Sequence, residues 1–346
     1  MDPSPAALEL HNSSLVIDLH ADTTIPMRWA GYRFEKRHSF RFPQRFGFFH
    51  CDLPRMREGG YAGQFFGLGT FPYPEERCAN ACLEQAGIWR ETCRGNAGEL
   101  ALVTTAEGIR EAHRQGRISV LLGIEGGHNL EGELGNLRRF YDAGVRYLGL
   151  AHFTKNRLCP PSGGIGADPN GPLTEFGRAV VGAMNRLGMM VDLAHVGRRA
   201  FLDAARLSAK PVMVSHTGIA AARPLWRNLD DDQIRAVAEK DGVIGIIFAW
   251  RYICREGRGD VRELLPHFEH VRKLVGARHL ALGSDFDGAV VPVRGLEDAS
   301  QLPAVTQLLL DAKWGEEEIR GVLGENLLRV LGACVKPSSP PPARPV

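Results

Sequence analysis

The chain of 346 residues lacks several features that would place it in particular classes of protein. It has no strong net charge, because 42 Lys and Arg residues face 40 Asp and Glu residues, so it offers no dominant basic surface to nucleic acid or anionic lipid. It has no uninterrupted apolar run of about 18 residues, and its first ten residues lack the basic start and apolar run of a secretory signal. These absences favour a cytoplasmic protein without a membrane anchor that acts on small molecules.

The cysteine pattern and the two ends of the chain are also informative. Seven cysteines are present, but none forms the Cys-x-x-Cys pair of a zinc knuckle, and we expect them to be reduced and buried. Residues 336–346 are rich in proline and are predicted to be a disordered tail. The predicted organisation is an N-terminal segment (1–14), one domain (15–335) and this tail.

Short apolar runs that end in polar residues recur along the domain, as is typical of strands buried on both faces. Eight such runs are found, at residues 15–20, 63–69, 119–125, 146–152, 189–195, 212–216, 243–248 and 280–285. Segments with helical spacing lie between most of them, and residues 303–335 read as two closing helices. The sequence therefore predicts an α/β protein with a single (β/α)₈ TIM barrel and additional C-terminal helices.

Polar residues end many of these predicted strands, and a parallel barrel brings the C-terminal ends of its strands together at one rim. Imidazole and carboxylate groups are ligands of Zn²⁺ and similar ions, and burying several of them is costly without a cation. In the His20-x-Asp22 sequence, both side chains lie on one face of a strand. The residues that we predict to bind metal at this rim are His20, Asp22, Glu125, His195 and His216.

Each residue also has an ordinary structural interpretation. His195 and His216 could be core histidines bonded to carbonyl groups, Glu125 could pair with an arginine of the barrel, and Asp285 could cap a turn. The combination of five matching strand ends favours the metal site. Six other histidines lack this context and are predicted to lie at the surface: His11, His38, His113, His267, His270 and His279.

The segments that carry these residues resemble a known family. They are DLHAD (18–22), GIEGGH (123–128), MNRLGMMVDLAHV (184–196), PVMVSH (211–216) and GSDFDG (283–288). Together they resemble the membrane (renal) dipeptidase family, peptidase family M19, within the amidohydrolase-like metal barrels. The resemblance extends from about residue 15 to residue 331 and is closest to soluble members of bacterial type. The chain departs from the family pattern at Ala151, where a threonine is usual, and in the loop 153–166.

The resemblance implies two zinc ions per chain, one bound by His20 and Asp22 and one by His195 and His216, with Glu125 as the bridge. It also implies that His152 contacts the substrate near the scissile carbonyl, that Arg227 binds a substrate carboxylate and that Asp285 lies beside the catalytic water. The expected reaction is hydrolysis of dipeptides, including those with a D-residue at the C-terminal side, by a hydroxide that the two ions activate. A homodimer is the expected assembly.

Two alternative functions remain open from the sequence. One is a related metal-barrel hydrolase that acts on another amide or imide, or a deaminase with a single ion. The other is a catalytically silent barrel that acts as a binding protein.

Overall fold

The computed structural model describes residues 2–38, 47–69 and 75–335. Nine parallel strands form its sheet: β1 (Val16–Ala21), β2 (Tyr61–Leu68), β3 (Leu100–Leu102), β4 (Ile118–Ile124), β5 (Val145–Gly149), β6 (Met190–Asp192), β7 (Val212–Thr217), β8 (Val243–Ile246) and β9 (Leu280–Leu282). The order β2-β1-β9-β8-β7-β6-β5-β4 closes on itself because β2 also pairs with β4. The predicted (β/α)₈ barrel is confirmed.

The eight strands of the barrel are those predicted from the sequence, and β3 is the additional one. Leu100–Leu102 pairs with the first half of β4, while β5 pairs with the second half of the same edge. β3 therefore flanks the barrel without being part of its closed ring. A three-residue strand carries too little periodicity to be recognised from sequence.

The interior of the barrel is apolar below the rim, which explains why the strands read as almost continuous hydrophobic runs. Ile17, Phe65, Leu121 and Tyr147 belong to one buried cluster there. The same cluster includes Leu327, Leu328 and Leu331 of the last helix. That helix lies at the N-terminal end of β9, since Asn326 Nδ2 donates to the carbonyl oxygen of Leu280 at 2.8 Å. The C-terminal ends of the strands form the opposite end of the barrel.

Helices surround the strands. The α-helices are Pro5–Asn12, Thr24–Trp29, Leu53–Glu58, Cys78–Gly95, Ala106–Arg114, Leu134–Asp142, Glu175–Leu187, Arg198–Leu207, Asp231–Glu239, Trp250–Ile253, Leu265–Val275, Pro303–Asp311, Glu316–Arg320 and Asn326–Cys334, with a π-helical turn at Gly321–Glu325. Local signals set many of their ends. Glu175–Leu187, for example, begins after the capping hydroxyl of Thr174 and ends at Gly188, whose φ of 84° suits glycine.

The start of the chain is helical and packs on the barrel. His11, in the helix Pro5–Asn12, contacts Thr306 Oγ1 in the helix Pro303–Asp311. The domain limits of 15 and 335 stay a prediction, and the predicted tail lies outside the described residues. In the part of the chain that the structure describes, no helix has the length and apolar character needed to cross a bilayer. The homodimer and the cytoplasmic location also stay predictions.

The predictions for cysteine and for histidine burial differ in accuracy. All seven cysteines are free and buried, as expected. The surface prediction is wrong for His11, His267 and His279, which are buried. Each of these rings bonds to a backbone carbonyl oxygen, of Gly59, Ile253 and Gly242 respectively, which compensates the polar ring for its loss of water.

Candidate metal centre

The metal-binding residues predicted from the sequence meet at the C-terminal rim of the barrel. His20 and His216 lie within β1 and β7, whereas Asp22, Glu125 and His195 follow the ends of β1, β4 and β6. All five are at most 5% exposed. Because the strands are parallel and closed into a ring, residues separated by almost 200 positions share one small volume.

Glu125 lies at the centre of this group. Its Oε1 atom is 2.9 Å from His195 Nε2, 3.4 Å from His216 Nε2 and 4.0 Å from His20 Nε2. The Nε2 atoms of His195 and His216 face each other at 2.9 Å. His20 Nε2 is also 3.5 Å from Asp22 Oδ1. One carboxylate therefore borders all three imidazoles, and each ring presents its Nε2 atom to the same space.

Asp285 is the sixth ionisable group at this point, with its Oδ1 atom 3.9 Å from His20 Nε2. Its φ of 62° lies in the left-handed region, which is unusual for a residue other than glycine. A hydrogen bond from its backbone NH to the carbonyl oxygen of His20, at 3.1 Å, helps to hold this conformation. A Cβ atom at Gly288 would lie 2.2 Å from Asp285 Oδ1, so only glycine leaves room for the carboxylate.

The backbone of His195 is strained in the same way, with a φ of 62°. Its carbonyl oxygen accepts a hydrogen bond from the backbone NH of Ser162 at 2.7 Å. The loop after β5 therefore braces the residue that follows β6. Left-handed residues of this kind cost free energy and are concentrated at functional sites.

Tyr147 is a contributor to this centre that the sequence analysis missed. Its hydroxyl group lies 2.7 Å from His20 Nδ1, on the side of the ring away from Glu125. The tyrosine ring fits only because residue 123 is glycine. A Cβ atom at that position would lie 2.0 Å from the ring. A tyrosine within an apolar strand reads as a core residue, so no signal in the sequence distinguished it.

Burial and nearby charge shift the pKa values of the histidines in opposite directions. Burial lowers the pKa of His195 to about 3, and the Arg227 guanidinium adds to this effect. Burial and the neighbouring His20 also lower the pKa of His216 well below its usual value. For His20, burial lowers the pKa, but Asp22 and the other carboxylates outweigh it and raise the pKa to about 10. His195 and His216 thus hold the neutral form in which imidazole binds a cation.

The two carboxylates nearest the histidines also differ. Burial raises the pKa of Glu125, but His152 and His195 lower it more, and the result lies well below the usual value. Burial raises the pKa of Asp285 well above its usual value, and the charges of Asp22 and Glu125 act in the same direction, which outweighs the opposite effect of His20. Without a bound cation, Glu125 is therefore ionised and burial favours a proton on Asp285. A cation bound nearby would lower the pKa of Asp285 again and make its carboxylate a proton acceptor.

The donor set fits divalent cations. Among the described residues, three overlapping groups have ligand atoms within 4.8 Å of one another: His20, His216 and Asp285; Glu125, His195 and His216; and His20, Asp22 and Glu125. Moreover, His20 Nε2 and Asp22 Oδ1 are buried without a hydrogen-bond partner in this part of the chain. Buried nitrogen and oxygen atoms of this kind are expensive unless something binds them, and they are the atoms that Zn²⁺ prefers.

His152 and Arg227, predicted to contact substrate, line the same cavity as the ligand set, about 180 Å³ in volume. His152 Nε2 is 3.2 Å from Glu125 Oε2. Arg227 is 3% exposed, and its Nη2 atom donates to the carbonyl oxygen of His216 at 2.8 Å. Tyr252 also lines the cavity, although nothing in its sequence context indicated it. The structure thus brings every predicted site residue to one place.

Comparisons with known proteins show which family the chain is similar to. The sequence model of the membrane dipeptidase family, peptidase family M19, matches residues 5–340. A metallopeptidase from Rhodobacter sphaeroides, solved with a phosphinate mimic of the dipeptide L-Ala-D-Ala, is 27% identical with a TM-score of 0.81, over 93% of this chain and 100% of that chain. Dipeptidase AC, a metallopeptidase of family M19, is 29% identical with a TM-score of 0.81, over 93% of this chain and 99% of that chain.

The fold is shared more widely. The probable dipeptidase PvdM from Pseudomonas aeruginosa has a TM-score of 0.86 at 19% identity, over 95% of this chain and 97% of that chain. Since the family match spans nearly the whole sequence and the barrel gathers a buried set of metal-binding side chains at its rim, the chain belongs to the membrane dipeptidase family, peptidase family M19, and is a metallo-dipeptidase.

Proposed function

We propose that the chain is a zinc-dependent dipeptidase with two ions per chain. His20 and Asp22 would hold one ion, His195 and His216 would hold the other, and the carboxylate of Glu125 would be shared between them. The observation that carries this proposal is the central position of Glu125, whose Oε1 atom lies within 4.0 Å of the Nε2 atoms of all three histidines. A single ion would leave some of these buried atoms without a partner.

The buried guanidinium of Arg227 supports a substrate with a free carboxylate. Its Nη1 and Nη2 atoms bond to Thr217 Oγ1 and to the carbonyl oxygen of His216, which fixes the side chain. Its Nε atom is buried and has no partner among the described residues. We therefore propose that Arg227 binds the C-terminal carboxylate of the substrate. The planar guanidinium group has donors arranged to bind the two oxygens of a carboxylate. The cavity is smaller than most ligand sites, which favours dipeptides over longer chains.

The reaction needs a nucleophile, a stabilised oxyanion and a protonated leaving group. When bound, a pair of zinc ions makes hydroxide available near neutral pH and acts as a Lewis acid toward the carbonyl group. His152 donates a hydrogen bond from its ring to the carbonyl oxygen as negative charge develops there. An Asp285 carboxylate oxygen accepts the proton of the attacking water and passes it to the nitrogen of the departing amine.

The Rhodobacter structure, solved with a mimic of L-Ala-D-Ala, supports the further proposal that a D-residue is accepted at the C-terminal side. The test is a panel of L,L- and L,D-dipeptides given to zinc-loaded enzyme, with the metal content of the same sample measured. We expect about two zinc ions per chain and hydrolysis of both series, and no hydrolysis after chelation. One ion per chain, or failure on every dipeptide in the loaded state, would contradict the proposal.

The assignment of Arg227 has its own test. Arg227→Gln is expected to raise KM for dipeptides and to remove the preference for a free carboxylate over a C-terminal amide. Arg251→Gln is the matched control, because Arg251 is exposed outside the cavity. An unchanged preference in Arg227→Gln would assign the carboxylate to another group.

A further inference from the structure

Two buried aspartates each bind the serine of a neighbouring strand, directly beneath the candidate metal centre. Asp192, in β6, pairs with Ser215 in β7, while Asp18, in β1, pairs with Ser284 just after β9. All four residues are at most 1% exposed. Neither pair has a role in the proposed reaction, although each precedes residues that border the centre.

The two pairs have the same internal geometry. Asp192 Oδ1 accepts the backbone NH of Ser215 at 2.8 Å, and Oδ2 accepts the Ser215 hydroxyl at 2.7 Å. Asp18 Oδ1 accepts the backbone NH of Ser284 at 2.9 Å, and Oδ2 accepts the Ser284 hydroxyl at 2.5 Å. Each Oδ1 also accepts a backbone NH from its own strand end, of Ala194 at 3.1 Å and of His20 at 3.4 Å.

They differ in what the serine hydroxyl touches next. Ser215 Oγ lies 2.9 Å from Nδ1 of His216. Ser284 Oγ instead meets backbone groups, the carbonyl oxygen of His20 at 3.2 Å and the NH of Phe286 at 3.1 Å. Only the first pair therefore reaches an imidazole ring of the centre.

Counting hydrogens fixes the state of that ring. A serine hydroxyl has one hydrogen, and Ser215 donates it to Asp192 Oδ2. The same carboxyl group accepts two backbone NH groups at Oδ1, so it acts as an acceptor at both oxygens. The contact between Ser215 Oγ and His216 Nδ1 must then use a hydrogen on Nδ1. A neutral His216 with its proton on Nδ1 has a lone pair on Nε2, the atom that lies 3.4 Å from Glu125 Oε1.

We propose that Asp192 and Ser215 are positioning residues that hold His216 as the Nδ1–H tautomer, with Nε2 directed at the metal centre. The ligand role of His216 rests on the proposed function, whereas the choice of tautomer rests on these hydrogen bonds alone. Carboxylates that reach a metal-binding histidine fix its tautomer and orientation in many sites, and here a serine hydroxyl lies between the two.

The substitution Asp192→Asn reverses the direction of this chain without changing its shape. Two backbone NH groups point at the Oδ1 position, so the amide oxygen must stay there and the NH₂ group must face Ser215 Oγ. Ser215 then accepts from the amide and donates its own hydrogen to His216 Nδ1. The proton of the ring moves to Nε2, which removes the lone pair from the metal centre.

Asp18→Asn is the matched control. It introduces the same amide into the equivalent pair, where the Ser284 hydroxyl can turn to the carbonyl oxygen of His20 instead. We expect a similar change in stability, because the same kind of strand-to-strand bond is altered. The tautomer of His216 should not change.

The experiment reads the tautomer and the zinc affinity separately. Metal-free protein labelled with ¹⁵N at histidine is examined by NMR, and the His216 ring nitrogens are assigned by their loss in His216→Asn. Zinc affinity is measured by competition with a chelator. We expect the Nδ1–H form in the original chain and in Asp18→Asn, the Nε2–H form in Asp192→Asn, and a zinc affinity 10-fold to 100-fold weaker for one ion in Asp192→Asn alone.

The outcomes separate this inference from the proposed function. An Nδ1–H ring with full zinc affinity in Asp192→Asn would overturn the inference, as would an equal loss of affinity in Asp18→Asn. If the original chain bound no zinc while the tautomer still switched, the positioning would stand and the proposed function would fail. Ser215→Ala provides a second variant, which should lose the fixed tautomer and the affinity while Ser284→Ala retains both.

Discussion

Buried histidines occur in two regions of this molecule, and their hydrogen bonds differ. Away from the barrel mouth, both ring nitrogens find partners: His11 contacts Thr306 Oγ1 at 2.7 Å and the carbonyl oxygen of Gly59 at 2.9 Å. His267 Nδ1 accepts the backbone NH of Ile219 at 2.8 Å, and its Nε2 lies 3.1 Å from the carbonyl oxygen of Ile253. These rings are completely satisfied by the fold.

At the mouth of the barrel, by contrast, the Nε2 atoms of His20, His195 and His216 have no backbone partner among the described residues. His20 Nε2 and His195 Nδ1 have no hydrogen-bond partner among the described residues. His195 Nε2 and His216 Nε2 face each other beside Glu125. A histidine whose two nitrogens bond to fixed groups of the fold stabilises that fold, whereas buried rings whose Nε2 atoms converge on one another and on a carboxylate form a site for a cation. This difference gives predictions for the rings at the mouth of the barrel and for the buried histidines among the surrounding helices, His11 and His267.

The largest effect is expected from Glu125→Gln at the mouth. A neutral amide cannot offset the charge of two cations, so we expect kcat/KM to fall by about 10³-fold to 10⁴-fold, equivalent to about 4–5.5 kcal/mol. Zinc content should fall from about two ions per chain, while the unfolding midpoint of metal-free protein changes little. Glu133→Gln, at an exposed position, is the control. Full activity in Glu125→Gln would remove this residue from the centre.

Asp285→Asn should slow the reaction without reducing the amount of bound zinc. The amide cannot carry the proton from water to the leaving amine, and general acid–base groups contribute about 10²-fold to 10⁴-fold. We expect kcat to fall within this range while zinc analysis still finds about two ions per chain. Unimpaired kcat in a metal-loaded Asp285→Asn sample would exclude the residue from the proton transfer.

The sequence was sufficient to predict the barrel and the membership of its rim. Polar residues at the ends of apolar runs identified His20, Glu125 and His216, because a closed parallel sheet converts strand ends into neighbours. The short strand Leu100–Leu102 was missed, since three residues carry no useful periodicity. Tyr147 was also missed, because nothing local distinguishes a core tyrosine from one whose hydroxyl reaches a ring.

The burial of the histidines among the surrounding helices was mispredicted for a different reason. The helices of His11 and His267 also carry polar or charged residues such as Glu9, Asn12, Glu269 and His270, so each helix reads as one with a solvated face. Their burial depends on groups far away in the chain, such as Thr306 for His11, 295 residues on. Long-range partners of this kind become visible only when the helices have been packed.

Removal of a satisfied ring should reduce stability and leave the chemistry intact. His11→Ala deletes two buried contacts and leaves a cavity between the first helix and Pro303–Asp311, so we expect a loss of about 2–4 kcal/mol in the free energy of unfolding. Denaturant unfolding measures this change, with kcat of the folded fraction expected to match the original chain. The exposed His113→Ala is the control, and an equal loss there would refute the distinction.

The smallest effect is a dependence of stability on pH that arises from His267. Burial lowers its pKa to about 4, and the nearby His270, Arg223 and Arg255 act in the same direction. Because the ordinary value near 6.5 applies to the unfolded chain, that state binds the proton first as the pH falls. The contribution of His267 to stability is therefore complete above about pH 6.5 and is lost as the pH falls toward 4, by about 2 kcal/mol at pH 5. The free energy of unfolding is measured at pH 8 and at pH 5 for the original chain and for His267→Gln. We expect the decrease between the two pH values to be smaller by this amount in His267→Gln. An identical decrease in both proteins would show that this ring is not held neutral.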